Sequence, residues 1–245
     1  MKKILVVSDN LRLVNFFREE CSYHSVIKKF QIDYKYSAKN KNPSELIALG
    51  MSPIDMKKCE VIREIISKYQ IIFSLHCKQI FPSEVVNSVT CINIHPGLNP
   101  YNRGWYPQVF SIINKKPIGA TIHLMDDAID NGDIIDQMEV EVLRTDTSLS
   151  LYNRVYEAEK VLLRKNLLRI LLGDIKIKLP KSDGNYNGIE DFKNLCSLNL
   201  DKVGTLGEHI DLLRALSHGD FKNAYFIDCE KVKKIYININ LTESE

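Results

Sequence analysis

The stretch VTCINIHPG, residues 89–97, is an apolar run that contains two polar side chains, Asn93 and His95, and ends at Pro96 and Gly97. Because the side chains of a strand alternate between its two faces, Asn93 and His95 project from the same face. Burying a polar group without a partner costs roughly 1–3 kcal/mol. We therefore expect both side chains either to have partners or to face something other than protein.

The runs KILVV (3–7) and QIIFSL (70–75) are short and apolar in the same way, and residues 11–21 between them have helical spacing. Ser52-Pro53 is typical of a helix start, which predicts a helix over 54–69. Further along, the patterns predict a helix over 106–114, strands over 119–125 and 133–143, a long helix from about Asp146-Thr147 to Gly173, and a helix over 209–216. Continuous apolar strands that alternate with helices are typical of an α/β protein with a mostly parallel, Rossmann-like sheet.

The turn-rich segment KLPKSDGNYNG (178–188) is predicted to be a linker between a catalytic domain (1–180) and a C-terminal extension (189–245). The extension is expected to hold a small helix and a β-hairpin made of AYFIDC and KIYININL. Four apolar side chains of the last strand share one face: Ile235, Ile237, Ile239 and Leu241. An isolated hairpin is marginal in water, so this face is expected to pack on the core or on a second subunit.

The composition excludes several classes of protein. With 245 residues, a net charge of +2 and no long Lys/Arg block, the chain lacks the basic footprint of a nucleic-acid-binding protein. The apolar run near the N-terminus is too short for a signal peptide, and no stretch approaches the roughly 20 residues of a membrane span. Six scattered cysteines without a CxxC pair predict a reducing, cytoplasmic location and no structural metal.

The first predicted strand is followed by SDNLRL rather than by a GxGxxG loop. Bulky side chains at such a turn keep the backbone away from a pyrophosphate. The sheet can therefore be Rossmann-like without implying that the chain binds NAD.

Two segments carry a family resemblance: INIHPGLNPYNRGWYP (92–107) and GATIHLMDDAIDNGDII (119–135). Together they resemble the Asn-x-His-Pro and Asp-x-Gly-x-Ile-Ile motifs of the N10-formyltetrahydrofolate-dependent formyltransferases. SLHCKQIFP (74–82) and LRALSHGDFKNAYF (213–226) are similar to the branch that acts on sugar nucleotides. The resemblance covers roughly residues 60 to 240, whereas the first 50 residues match poorly.

The resemblance implies a formyltransferase core with a catalytic trio of Asn93, His95 and Asp130. Asn93 would donate to the developing oxyanion, and His95, whose unperturbed pKa is about 6.5, would move the proton of the amine. Asp130 would orient His95 and stabilise its charged form. His123, on the alternating strand, is interpreted as structural.

The implied cosubstrate is N10-formyltetrahydrofolate, without a metal. The candidate residues for its pocket are Ser74, His76, Asp126 and Asp130. Asp126, like its neighbours Asp127 and Asp133, has the alternative interpretation of a solvated turn residue.

For the acceptor, the resemblance implies a dTDP-linked amino-dideoxyhexose, with dTDP-4-amino-4,6-dideoxyglucose ahead of the 3-amino isomer. Such a product would feed surface-polysaccharide (lipopolysaccharide O-antigen) synthesis. Lys78 and Arg103 are candidates to meet the pyrophosphate, and Trp105 and Tyr225 to stack on the thymine or sugar. Surface cations and packed aromatic side chains are the alternative interpretation of these four residues.

Three other functions stay open at this point. Glycinamide ribonucleotide is an alternative acceptor, methionyl-tRNA is disfavoured by the low net charge and the short C-terminal extension, and a catalytically inactive folate- or nucleotide-binding module is disfavoured by the intact trio. The family resemblance also implies a homodimer formed through the C-terminal region.

Overall fold

The computed structural model of the chain describes residues 2–180, 182–228 and 230–244. Cys229, one of the six cysteines expected to be free thiols, lies outside these residues, as do Met1 and Glu245, the outer ends of the two predicted domains. The other five cysteines are free thiols. Among the described residues, no helix combines the length and the apolar composition that crossing a bilayer requires.

The described residues form eleven strands, in chain order: β1 (Lys2–Ser8), β2 (Phe30–Ser37), β3 (Ser52–Ile54), β4 (Ile71–Leu75), β5 (Thr90–His95), β6 (Arg103–Gly104), β7 (Ile118–Leu124), β8 (Ile134–Val140), β9 (Tyr186–Asn187), β10 (Tyr225–Asp228) and β11 (Lys233–Tyr236). The helices are α1 (Leu11–Tyr23), α2 (Ser44–Ala48), α3 (Cys59–Lys68), α4 (Ser83–Val86), α5 (Pro107–Asn114), α6 (Ser148–Leu172), α7 (Ile189–Cys196) and α8 (Leu206–Leu216), with a 3-10 turn at Ser25–Lys29.

Seven strands form one sheet in the order β3-β2-β1-β4-β5-β7-β8. The pairs from β3 through β5 are parallel, and β7 runs antiparallel to β5. This arrangement confirms the prediction of a mostly parallel, Rossmann-like sheet, and the helix α8 and the hairpin β10–β11 confirm the small C-terminal extension. The strand order reverses between β1 and β4, which is where open α/β sheets bind ligands, outside the carboxyl ends of the strands.

The chain divides into two compact units, each assembled from three segments. The first comprises the described parts of residues 1–95, 121–137 and 159–181, and the second the described parts of residues 96–120, 138–158 and 182–245. The first unit contains β1–β5 and a core of buried side chains that includes Leu5, Ile72 and Cys91. All five residues of β4 are buried, which explains why this strand is apolar without alternation. The division at residues 180 and 189 stays a prediction.

The helix predicted over 54–69 is wrong in its first part. Ser52–Ile54 is instead strand β3, which pairs with Lys35–Ser37 of β2, and the helix begins only at Cys59. A proline is tolerated in β3 because this strand lies at the edge of the sheet, where one row of N–H groups has no partner strand.

Residues 182–188 of the segment predicted to be a linker are part of the second unit. The N–H groups of Arg103 and Trp105 donate to the carbonyl oxygens of Asn185 and Asn187, at 2.9 Å in each case. The buried Asn102 accepts from the side-chain amides of the same two residues, at 2.7 and 3.2 Å. Asn185 and Asn187 therefore make specific contacts and do not act merely as a spacer.

Candidate active site

Asn93, His95 and Asp130 lie together in the first unit. The amide nitrogen Nδ2 of Asn93 donates to Oδ1 of Asp130 at 2.9 Å, and Nδ1 of His95 lies 3.6 Å from Oδ2 of the same carboxylate. Asp130 has a φ of +51°, a left-handed conformation that Asp tolerates better than most residues. A Cβ at Gly132 would lie 2.0 Å from the carbonyl oxygen of Leu124, so only glycine allows this turn to approach β7. The Asn-x-His-Pro and Asp-x-Gly-x-Ile-Ile motifs therefore meet at the carboxylate of Asp130.

His123 is a fourth member of this cluster. It is buried, faces Asn93 across the antiparallel pair β5–β7, and accepts from Asn93 Nδ2 at 3.2 Å. Its Nδ1 donates to the carbonyl oxygen of Leu124 at 2.7 Å, which leaves Nε2 free of a proton to accept that bond. The sequence does not predict that His123 joins the trio, because the contact depends on a register between strands that no local pattern reveals.

His95 is a neutral imidazole with one unengaged nitrogen. Burial lowers the pKa of His95 to about 4; Asp130 opposes this change, and His123 and His76 add to it. The residue is 4% exposed, and its Nε2 has no hydrogen-bond partner among the residues that the structure describes. The pKa of His95 therefore lies below the value of about 6.5 of an unperturbed imidazole, since desolvation disfavours the charged ring. At neutral pH this nitrogen is available to a proton or to a substrate group.

A buried neutral base, a carboxylate 3.6 Å from its other nitrogen and an adjacent amide donor form a constellation suited to acyl transfer. The amide provides the N–H that an oxyanion needs. The carboxylate offsets the charge that the imidazole acquires when it takes a proton. This chemistry needs no nucleophilic side chain, and burial raises the pKa of the Cys77 and Cys91 thiols to about 12, so both are protonated.

Comparisons with known proteins agree with this geometry. Residues 28–167 match the family model described as formyl transferase, and residues 191–243 match the N-formyltransferase dimerization C-terminal domain. The chain belongs to the formyl transferase family. This formyltransferase is 42% identical, over 79% of its chain and 83% of the relative, to the dTDP-4-amino-4,6-dideoxyglucose formyltransferase of Mycobacterium bovis.

Two solved structures resemble the whole formyltransferase. A sugar N-formyltransferase from Shewanella sp. FDAARGOS_354 is 52% identical with a TM-score of 0.98, and each chain is fully covered. A 4-N formyltransferase from Francisella tularensis is 48% identical with a TM-score of 0.92, over 99% of both chains. A more distant structure, the sugar 3-N-formyltransferase WlaRD in the presence of dTDP and 5-N-formyl-THF, is 21% identical with a TM-score of 0.71, covers 91% of this chain and 82% of its own, and shares the fold.

Of the predicted folate-pocket residues of this formyltransferase, Ser74 and His76 lie next to the trio. Ser74 is buried in β4 and is paired with Asn93 in the strand register. His76 follows β4 with a φ of +54° and hydrogen bonds to Asn10 and Glu159. Asp126 is exposed, and its side chain accepts from the N–H of Ala128 at 3.0 Å, as in a turn.

Side chains fill the loop after β1, where dinucleotide-binding proteins have glycines. Asp9 accepts from the backbone N–H groups of Ser37 and Lys78, at 3.1 and 2.6 Å. Asn10 caps α1 by accepting from the N–H of Leu13 at 3.0 Å. In those proteins the N-terminus of this helix holds a pyrophosphate, whereas in this formyltransferase the side chain of Asn10 accepts a hydrogen bond there. Lys78 enters this network through its backbone, and its side chain is exposed.

The other three predicted substrate residues belong to the second unit. Trp105 is 41% exposed and contacts the ring of Tyr106, with 5.8 Å between centroids, and Arg103 donates to the carbonyl oxygen of Asp183 at 3.3 Å. Tyr225 lies in the hairpin, with the ammonium group of Lys234 3.8 Å from its ring centroid. Of this set, Tyr225 falls within the part of the formyltransferase that matches the dimerization domain.

Proposed function

We propose that this formyltransferase transfers a formyl group from N10-formyltetrahydrofolate to the 4-amine of dTDP-4-amino-4,6-dideoxyglucose. The observation that carries the proposal is the buried, neutral His95 with an unengaged Nε2 beside Asp130 and Asn93. Its specificity rests on the similarity, over 79% of the chain, to a relative of that name. The 3-amino isomer ranks second, because two relatives, at 42% and 48% identity, are named for 4-amino or 4-N chemistry.

In the proposed reaction the amine nitrogen attacks the formyl carbon, a carbon–nitrogen bond forms, and the carbonyl electron pair moves to oxygen. Asn93 donates an N–H to this oxygen, in exchange for one of its two present acceptors, Asp130 and His123. One such donor is typically worth about 10²–10³ in rate.

His95 takes the proton that the amine loses, through Nε2, and Asp130 stabilises the imidazolium from the side of Nδ1. When the tetrahedral centre collapses, its bond to the donor nitrogen breaks and the electron pair stays on that nitrogen. His95 then returns the proton there, so the enzyme ends in its starting state.

We assign the remaining predicted residues to binding. The exposed side chain of Lys78 and the guanidinium of Arg103 suit phosphate oxygens, and the half-exposed Trp105 and Tyr225 suit a base or a sugar. Ser74 and His76 in the first unit, together with the turn from Asp126 to Asp130, are assigned to the folate.

The test is a coupled assay of the purified protein with N10-formyltetrahydrofolate and three separate acceptors: dTDP-4-amino-4,6-dideoxyglucose, its 3-amino isomer and glycinamide ribonucleotide. We expect the highest kcat/KM for the 4-amino sugar and competitive inhibition by dTDP. Formylation of glycinamide ribonucleotide without inhibition by dTDP would show that this ribonucleotide, rather than the sugar nucleotide, is the acceptor. A binding-only function would give folate binding without turnover of any of the three.

The C-terminal match to a dimerization domain supports a homodimer. Sedimentation at micromolar concentration should therefore give twice the mass of one chain, and a monomer would refute this assignment. We also infer a cytoplasmic location, which is supported by the five free thiols among the described residues. Reducing and non-reducing mass analysis of protein purified from the cell tests the state of these thiols.

A further inference from the structure

His76 is a second histidine, outside the catalytic trio, and both of its ring nitrogens have hydrogen-bond partners in the protein. His76 Nε2 lies 2.6 Å from Oε1 of Glu159, and Asn10 Nδ2 lies 3.0 Å from His76 Nδ1. Glu159 is completely buried in α6, and its Oε2 has no hydrogen-bond partner among the described residues. A buried carboxyl group of this kind is costly, which calls for a functional explanation.

The cap of α1 determines which nitrogen of His76 carries the proton. Oδ1 of Asn10 accepts from the N–H of Leu13, so its Nδ2 is the group that faces His76. An amide nitrogen can only donate, and His76 Nδ1 must therefore accept. The single proton of a neutral ring then lies on Nε2 and is donated to Glu159.

His76 is adjacent to His95. Ser74 pairs with Asn93 and Leu75 with Ile94 in the parallel register of β4 and β5, and His76 and His95 are the next residues of the two segments. The two rings are close enough to interact electrostatically. A positive charge on His76 would disfavour a proton on His95, and it would repel an amine that becomes positive as it attacks. A neutral His76 avoids both effects.

We infer that Asn10 and Glu159 are positioning residues of the transfer reaction, which hold His76 neutral and protonated on Nε2 alone beside His95. This inference rests on the proposed function. Among the titratable groups of the described residues, Glu159 from α6 contacts His76, His95 from β5 interacts with it electrostatically, and Cys77 and Lys78 follow it in the chain. Burial raises the pKa of Glu159, and the bond to His76 opposes that rise.

Asn10→Asp tests the inference without removing the helix cap, because Asp and Asn cap helices about equally well. The variant replaces the amide donor by a carboxylate oxygen, so Nδ1 of His76 must acquire a proton. We expect kcat to fall about tenfold or more, with little change in KM and an unchanged thermal midpoint. Asn15→Asp is the matched control: it adds the same charge to the exposed side of the same helix and should keep full activity.

The ring proton is measured directly by long-range ¹H–¹⁵N NMR of the histidine side chains at neutral pH. His76 should show the pattern of a ring protonated on Nε2 alone in the wild type, and a protonated Nδ1 in Asn10→Asp. Glu159→Gln keeps an acceptor oxygen for Nε2–H, and we expect His76 to retain the wild-type tautomer in this variant.

A wild-type His76 that is protonated on Nδ1 would overturn the inference. So would full activity of Asn10→Asp with a protonated Nδ1, or a change of the His76 tautomer in Glu159→Gln. The NMR experiment needs no substrate. A failure of the proposed function, seen as absence of turnover in the wild type, is therefore distinct from a failure of this inference.

Discussion

Lowering the pH from 7 to 5 should destabilise the wild-type protein more than a His95→Asn variant. The folded-state pKa of His95 is about 4, because the ring is buried, whereas an unfolded imidazole titrates near 6.5. Between these two values the unfolded chain binds the proton and the folded chain does not. The free energy of unfolding therefore falls as the pH is lowered through this window, and below about pH 4 the loss stops.

The size of the effect follows from the two pKa values. At pH 5 the proton bound by the unfolded chain costs the folded state about 2 kcal/mol, whereas at pH 7 the cost is only about 0.2 kcal/mol. His95→Asn removes the titrating ring. We therefore expect wild type to lose about 2 kcal/mol more than the variant between pH 7 and pH 5, whatever the difference in their absolute stabilities.

Urea denaturation of both proteins at the two pH values, followed by tryptophan fluorescence and circular dichroism, measures this difference. His209→Asn is the control, since it removes a half-buried histidine of α8 in the second unit. Equal losses in wild type and His95→Asn would show that His95 titrates normally, which would refute the reasoning that burial keeps its ring neutral.

Three further predictions follow from the site and the fold. His95→Asn and Asp130→Ala should each lower kcat about 10²-fold or more with the fold intact by circular dichroism, and a near-wild-type rate would remove that residue from the mechanism. Gly184→Ala should lower the urea midpoint much more than Gly173→Ala: both glycines have positive φ, but only at Gly184 would a Cβ clash, 1.9 Å from the carbonyl oxygen of Pro100. Fluorescence titration should show saturable binding of a folate and none of NAD, because side chains occupy the loop after β1; saturable NAD binding would contradict this account.

Most of the sheet could be predicted because its strands are buried on both faces. β1, β4 and β5 are nearly continuous apolar runs whose short length favours a strand over a buried helix. The exceptions are β2, which is mostly half-buried and has no apolar run, and β3, where Ser52-Pro53 has the composition of a helix start. Pairing with the edge of β2 decided the conformation of β3, and such pairing is a tertiary effect.

The residues of the site also fall into a group that the sequence predicts and a group that it does not. Asn93, His95 and Asp130 were predicted because each stands in a local motif. His123 and Glu159 were not, since their contacts join residues 30 and 83 positions apart in the chain. The pKa of His95 could not be predicted from the sequence either, because it depends on the burial of the ring in the folded protein rather than on a neighbour in the motif.

The contacts of Asn185 and Asn187 bear on how chimeras of this family should be made. The first matched family region ends at residue 167 and the second begins at residue 191, so neither covers the segment between them. Yet the backbone carbonyls of these two asparagines are the acceptors for Arg103 and Trp105. A donor C-terminal domain grafted at residue 189 should therefore keep the recipient's own residues 182–188, whereas a junction at residue 180 would import a segment matched to a different partner.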